Sequence, residues 1–471
     1  MKKTEIRILP LVLAVALFME NMDANVITTS LPAIAADLHT SPVALKLAMT
    51  SYLVSLSVFI PISGWMADRF TARNVFRLAI AVFMVGSILC ALSFSLTSFV
   101  MARFLQGVGG AMMTPVGRLV LLRSTPKNEL VLALSWLSIP ALVGPLLGPP
   151  IGGFITTYTT WHWIFLINVP IGIAGIIMAD IYLPRNEVAL KQRLDWLGFL
   201  LSGLSLSLFI FGLSLISSPG LGAWIGLMMA AIGIILGYLY VRHARITAHP
   251  LLDLKLFHDV VFRKSIVGGS IFRLGIGAMP FLLPLMLQLS FGLSPLQSGM
   301  ITFVGAIGSI CMKFGVNRFY NRYGFRSVLM IGSLVSAVFM ASNGFFTSST
   351  PYWIILLLLL IGGFLRSLLF SGVNALSYGR IEPEKMSQAT PISAVAQQAS
   401  LALGVALAGA ILEVCVAIHG GGVRLTDFQL AFFAVAIISG LSFLDFKTLP
   451  LDAGDELKGV RAKVIEATKS E

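Results

Sequence analysis

The chain is predicted to be an all-α polytopic membrane protein with about fourteen membrane-spanning helices. Three observations carry that prediction. Hydrophobic residues make up 57% of the 471 and charged residues 11%, whereas soluble domains carry ~25% charged residues. Apolar windows of ~20 residues, the length that crosses a bilayer, recur along the chain between short polar turns. The stretch from Ala141 to Gly153, ALVGPLLGPPIGG, places Gly144, Gly148 and Gly152 four residues apart, with Pro145 and Pro149 on the same period. Four-residue spacing puts the glycines on one helix face. Prolines at this density damage a helix in water. In a membrane, neighbouring helices re-satisfy the freed carbonyls and a glycine stripe admits a second backbone.

Taken in order, the first six windows fall near 9–30, 43–66, 75–95, 98–121, 130–155 and 161–183. A pair follows near 196–217 and 222–242. The last six fall near 262–288, 295–316, 326–347, 352–376, 388–416 and 427–447. The N-terminal MKKTEIR precedes an apolar run with no small-residue cleavage site, so it is read as a retained first span rather than a signal peptide.

The net charge of +12 would point to nucleic acid in a soluble protein. Here the basic residues collect in alternate connections, such as those holding Arg69 and Arg73, Arg242 and Arg245, or Arg322 and Arg326. The intervening SFSLTS, TTYTTW, SSPGLG and TSSTPY contain no Lys or Arg, and Arg424 is the exception. The positive-inside rule then puts both termini in the cytoplasm and leaves no nucleic-acid partner to invoke. Cys90, Cys311 and Cys415 lie in apolar runs without metal or disulfide spacing. No phosphate-binding glycine loop or dinucleotide fingerprint is present, so no cofactor is expected.

Four motifs support a family resemblance. GWMADRFTARN carries Gly64, Asp68, Arg69 and Arg73, with Thr71 where a glycine is usual; RFLQGVGGA carries Arg103, Gln106 and Gly107. MDANVITTSLPAIA carries Asp23, with Glu20 one turn earlier, and the Gly-Pro stripe described above is the fourth. Together they resemble the major facilitator superfamily, and within it the fourteen-helix drug:proton antiporter branch, including multidrug exporters of Gram-negative inner membranes. WHWIFLINVPIG from Trp161 is similar to the sixth-helix pattern of that branch, and most of it reads as an aromatic interface belt. NRYGFR from Asn321 repeats the Arg-x-x-x-Arg spacing of the second connection, as expected for two related halves.

The resemblance implies a six-helix bundle over 1–184, an inserted helix pair with linkers over 185–250, a second six-helix bundle over 251–450 and a cytoplasmic tail over 451–471. It also implies a non-enzymatic secondary transporter in the bacterial inner membrane, exporting small amphipathic molecules in exchange for protons. The protein is expected to sit among lipids as a monomer. The alternatives are a dedicated siderophore or metabolite exporter and, from another class, a non-transporting scaffold or sensor.

Asp23, Glu20 and Arg103 are the expected proton-coupling residues. Two carboxylates one turn apart in a low dielectric cannot both be charged cheaply, so one is expected to carry a proton. The residues leave Glu20 open between that role and a structural ion pair with Arg103. Asp68, Arg69, Arg73 and Gly64 are expected to form a charge clamp, and the glycine-proline stripe a gating contact. Candidate substrate contacts are Gln106, Arg273, Arg366, Asn374 and Gln397, polar groups within apolar runs. Met112 and Met113 offer an adaptable apolar surface and are further candidates. Glu413 lies near a helix end, where water is the default partner.

Overall fold

A computed structural model describes residues 3–124, 143–144, 147–183, 194–216, 221–247, 250–381 and 386–455, and all regular structure among them is helical. The tail beyond 455 and Pro145 lie outside the described residues. The chain opens with α1 (Lys3–Val26), α2 (Leu31–Asp37), α3 (Lys46–Phe59), α4 (Ser63–Phe70), α5 (Ala72–Ala91) and α6 (Leu96–Ser124). Residues 147–158 form α7, followed by α8 (Trp163–Leu166), α9 (Asn168–Tyr182), α10 (Trp196–Ile216) and α11 (Leu221–Ile246). The remainder is α12 (Val260–Leu289), α13 (Pro295–Tyr323), α14 (Phe325–Ser342), α15 (Tyr352–Gly379), α16 (Met386–His419), α17 (Leu425–Gly440) and α18 (Ser442–Phe446).

Among the described residues, 12 helical segments are long and apolar enough to cross a membrane, and they fall on twelve of the expected windows. The other two are α6 and α7. The 29 residues of α6 rise ~43 Å at ~1.5 Å each, enough to cross; Arg103 and Gln106 lower its hydropathy. Several spans depart from continuous α-helices, among them the last, which breaks at Leu441 between α17 and α18. The second passes through a 3-10 turn at Ile60–Ile62, which holds Pro61, before α4. The sixth breaks between α8 and α9 at Ile167.

Helices α1, α5, α6 and α9 pack together, with α3 on α6; α12 to α17 form a second packed group. The α10–α11 hairpin packs through α10 against α3 and α16, which meet along one of the seams between the groups. At the arginine-poor end, one hydrophobic core joins both groups, running from Ile34 and Phe99 to Phe281, Leu285 and Phe428. Toward the arginine-rich end each group has its own core, and a smaller cluster of Val54, Val58, Ile210, Ala399 and Ala402 joins α3, α10 and α16. The assembly is therefore closed at its arginine-poor end.

The glycine stripe is a close-approach surface whose partner is α1. A Cβ on Gly148 would lie 2.7 Å from Asn25 Cβ, and one on Gly152 would overlap the Val26 carbonyl. The neighbouring Gly153 faces the other group instead, at Pro295 and Leu296 of α13.

Candidate functional site

Asp23 sits where four spans converge. Its Oδ2 accepts from Arg103 Nη1 at 2.6 Å, and its Oδ1 accepts from Gln106 Nε2 at 2.9 Å and Asn168 Nδ2 at 2.7 Å. Gln106 also donates to Ser87 Oγ at 2.7 Å and accepts from Arg103. The Arg103 guanidinium lies 4.3 Å from the centre of the Tyr52 ring. Asp23, Arg103, Gln106, Asn168 and Ser87 are all buried. A buried ion pair survives only with good geometry and further hydrogen bonds, and two neutral side chains, Gln106 and Asn168, supply them. Satisfaction is still incomplete, because Arg103 Nε and Asn168 Oδ1 are buried without a hydrogen-bond partner. The arginine is thus an interior group and does not snorkel to an interface.

Glu20 lies one turn back along α1, on the same side. Its Oε2 accepts from Thr114 Oγ1 at 2.8 Å. Among the described residues it has no cation partner, which closes the ion-pair reading with Arg103 in this conformer.

The expected substrate contacts are spread over both helix groups. Gln106 belongs to the Asp23 network and is fully buried. Met112 and Met113 are packed in the N-terminal core, on the side of α6 that meets α1 and α5. Arg273 and Asp23 belong to different helix groups. Arg273 Nη2 donates to Asn374 Oδ1 at 2.7 Å, its guanidinium lies 5.2 Å from the Phe370 ring centre, and Nε and Nη1 are buried without partners. Arg366 lines a cavity of about 120 Å³ that Asn25, Thr28 and Pro149 close from the first group. Gln397 is half-buried on α16.

In the basic loop, Arg73 reaches across to α9. Arg73 Nη2 meets Asp180 Oδ1 at 2.9 Å and the Asp180 carbonyl at 2.7 Å, with Arg77 Nε at 3.0 Å from the same carboxylate. Asp180 of α9 thus anchors α5, while Asp68 is half-buried at the end of α4 and Arg69 is exposed. Gly64 is exposed with open space around its Cα, so no close approach requires glycine there. Thr71 adopts φ 68°, ψ 139°, matching Gly324 at φ 75°, ψ 155° in the repeated loop. The loop has kept its glycine conformation without its glycine.

Sequence reasoning missed Asn168, Ser87, Tyr52 and Thr114. The one signal at Asn168 was weak, a lone neutral amide in the apolar run WIFLINVPIG.

Residues 13–249 and 266–467 match a family model described as the Major Facilitator Superfamily. The "Putative multidrug resistance protein MdtD" of Escherichia coli (strain K12) is 34% identical over 459 residues, covering 96% of each chain. The MdtD of Escherichia fergusonii is 35% identical over the same length. Among solved structures, the inward-open xylose transporter XylE from E. coli superposes with a TM-score of 0.66 at 15% identity, covering 97% of this chain and 99% of that one. A D-xylose–proton symporter gives 0.67 at 17% identity, covering 94% and 98%. At these identities the structures establish the shared fold.

Proposed function

The chain belongs to the major facilitator superfamily, and from that premise we propose that it is a proton-coupled exporter of small amphipathic molecules in the bacterial inner membrane. It is a multi-pass membrane transporter rather than an enzyme. The proposal includes two six-helix halves, 1–184 and 251–450, that rock around a central site, with both termini cytoplasmic and a single chain as the working unit. With the arginine-rich end inside, the conformer described above is closed to the outside.

The observation that carries the proton coupling is the buried contact between Asp23 and Arg103. A carboxylate at that depth must meet a cation or carry a proton. Arg103 against Asp23 represents the proton-free state. When substrate or water draws Arg103 away, a proton takes its place, and the two ligands then favour different charge states of one site. The two unpartnered buried atoms of the network support this reading, since a fully satisfied network has less to gain by rearranging.

The test is reconstitution of the full chain into proteoliposomes with a pH-reporting dye inside. The expected result is proton movement when an amphipathic substrate is added, abolished in Asp23→Asn. A wild-type protein that moves neither solutes nor protons would overturn the proposal.

A further inference from the structure

We propose that the cavity between the two helix groups takes an amphipathic carboxylate, with Arg366 meeting the acid group. The inference deepens the transporter reading and rests on it. The cavity holds about 120 Å³, and Arg366 is the one charged residue on its wall. Met279, Phe339 and Leu358 give it apolar sides, and Asn25, Thr302 and Asn343 add neutral polar groups. Such a lining fits a small molecule with a hydrocarbon body and one anionic end.

Arg366 has no acid of its own. Its Nη2 donates to Ser309 Oγ at 3.1 Å, and no ion pair to it is formed among the described residues. The carboxylates on α12 to α18 are committed elsewhere: Glu413 to Lys46, Asp427 to His419 and Asp445 to Lys264. The second interior arginine of this half, Arg273, likewise meets an amide and a ring instead of an acid. One buried cation, Arg273, and one half-buried cation, Arg366, both without a counter-charge among the described residues, create a positive field in a low-dielectric region, which costs free energy unless an anion relieves it. A guanidinium offers paired N–H donors that match the two oxygens of a carboxylate. A cationic ligand would meet the same field as repulsion.

The test compares three probes of one shape on purified full-length protein in detergent: 2-naphthoate, its methyl ester and 2-naphthylmethylammonium, each measured by titration calorimetry. Naphthoate is expected to bind about tenfold or more tightly than either counterpart. Arg366→Gln is expected to bring naphthoate down to the affinity of the ester, and Arg366→Lys to keep part of the preference. Equal or tighter binding of the ester or the ammonium to wild type overturns the assignment, as does no binding by any of the three. The wild-type comparison needs no variant to fold. Proton flux in proteoliposomes separates the two claims. Flux driven by the ammonium and not by naphthoate sinks the anion assignment and leaves the transporter reading standing. Naphthoate that binds as expected without any proton movement does the reverse.

Discussion

Lys46 Nζ and Glu413 Oε2 form an ion pair that joins the two helix groups at their arginine-poor end. Lys46, at the start of α3, is buried, and its side-chain carbons lie over Gly409, one turn before Glu413 on α16. Nearby, Gln288 Nε2 donates to the Thr29 carbonyl at 2.9 Å, and the Leu296 amide donates to Thr157 Oγ1 at 3.2 Å. These are all contacts between halves, so they must part if the far end opens. Lys46→Met removes this ion pair. The cost should fall below the ~3–5 kcal/mol of a fully buried pair, because the Glu413 side chain is 23% exposed. A cysteine at Gln288 should then react faster with an impermeant thiol reagent in Lys46→Met than in the parent. The charge swap Lys46→Glu with Glu413→Lys should return it to the parent rate. Unchanged labelling in Lys46→Met would show that the pair does not hold this end shut.

What the sequence disclosed and what it hid divide along physical lines. Asp23, Arg103 and Arg366 stood out because a charge in an apolar run is costly wherever it sits. Asn168 did not, since one neutral amide is a weak departure from an apolar run. The Lys46–Glu413 pair joins residues 367 positions apart, and no local pattern records such a contact. Met112 and Met113 read as adaptable surface because periodicity cannot tell a core-facing side of a membrane helix from a cavity-facing one. The fold was more legible than the site, because each span is written in about twenty consecutive residues.

The Thr71 conformation leads to a stability prediction. A non-glycine residue in this region of φ and ψ costs ~1–3 kcal/mol, and Thr71 makes no side-chain capping bond that would offset it. Thr71→Gly should raise the thermal midpoint of the detergent-purified protein, with part of the gain lost to the ~0.5–1 kcal/mol of extra glycine entropy. Thr71→Ala keeps the Cβ and should not gain. Gly324→Thr should lower the midpoint. A Thr71→Gly protein no more stable than its parent would mean that the loop relaxes around the threonine.

The stripe against α1 can be tested sterically. Gly144 and Gly148 would each push a Cβ into α1, within 2.6 Å of Asn21 and 2.7 Å of Asn25. Gly148→Leu should cost ~1–3 kcal/mol by overpacking and stop transport while folded protein still reaches the membrane. Normal transport by this variant would show that α1 and α7 can separate without loss.

Orientation follows from the charge asymmetry. Ser349, in the connection after α14, and Asn321, in the last turn of α13, are exposed near opposite ends of α14. In a variant with Cys90, Cys311 and Cys415 replaced by Ala, a cysteine at position 349 should react with an impermeant reagent from outside intact cells. One at position 321 should react only after permeabilisation. The opposite pattern would invert the topology.

The sharpest prediction separates the two carboxylates of α1. Asp23 neutralises Arg103 and holds two amides, whereas Glu20 holds one hydroxyl. Glu20→Gln keeps an oxygen for Thr114 and strands no charge, so both stability and proton-driven transport should persist. Asp23→Asn strands a buried guanidinium, for which ~3–5 kcal/mol is the usual cost, and should lower the thermal midpoint as well as stop the coupling. Those two effects must be told apart, because an unstable protein also transports nothing. The double variant Asp23→Asn with Arg103→Gln removes both charges and should recover much of the lost stability. If Asp23 is the coupling group, the recovered protein still binds substrate and moves no protons. If instead the double variant pumps, the pair is a structural clamp. If Glu20→Gln alone abolishes proton movement, then Glu20 carries the proton and Asp23 only positions the arginine.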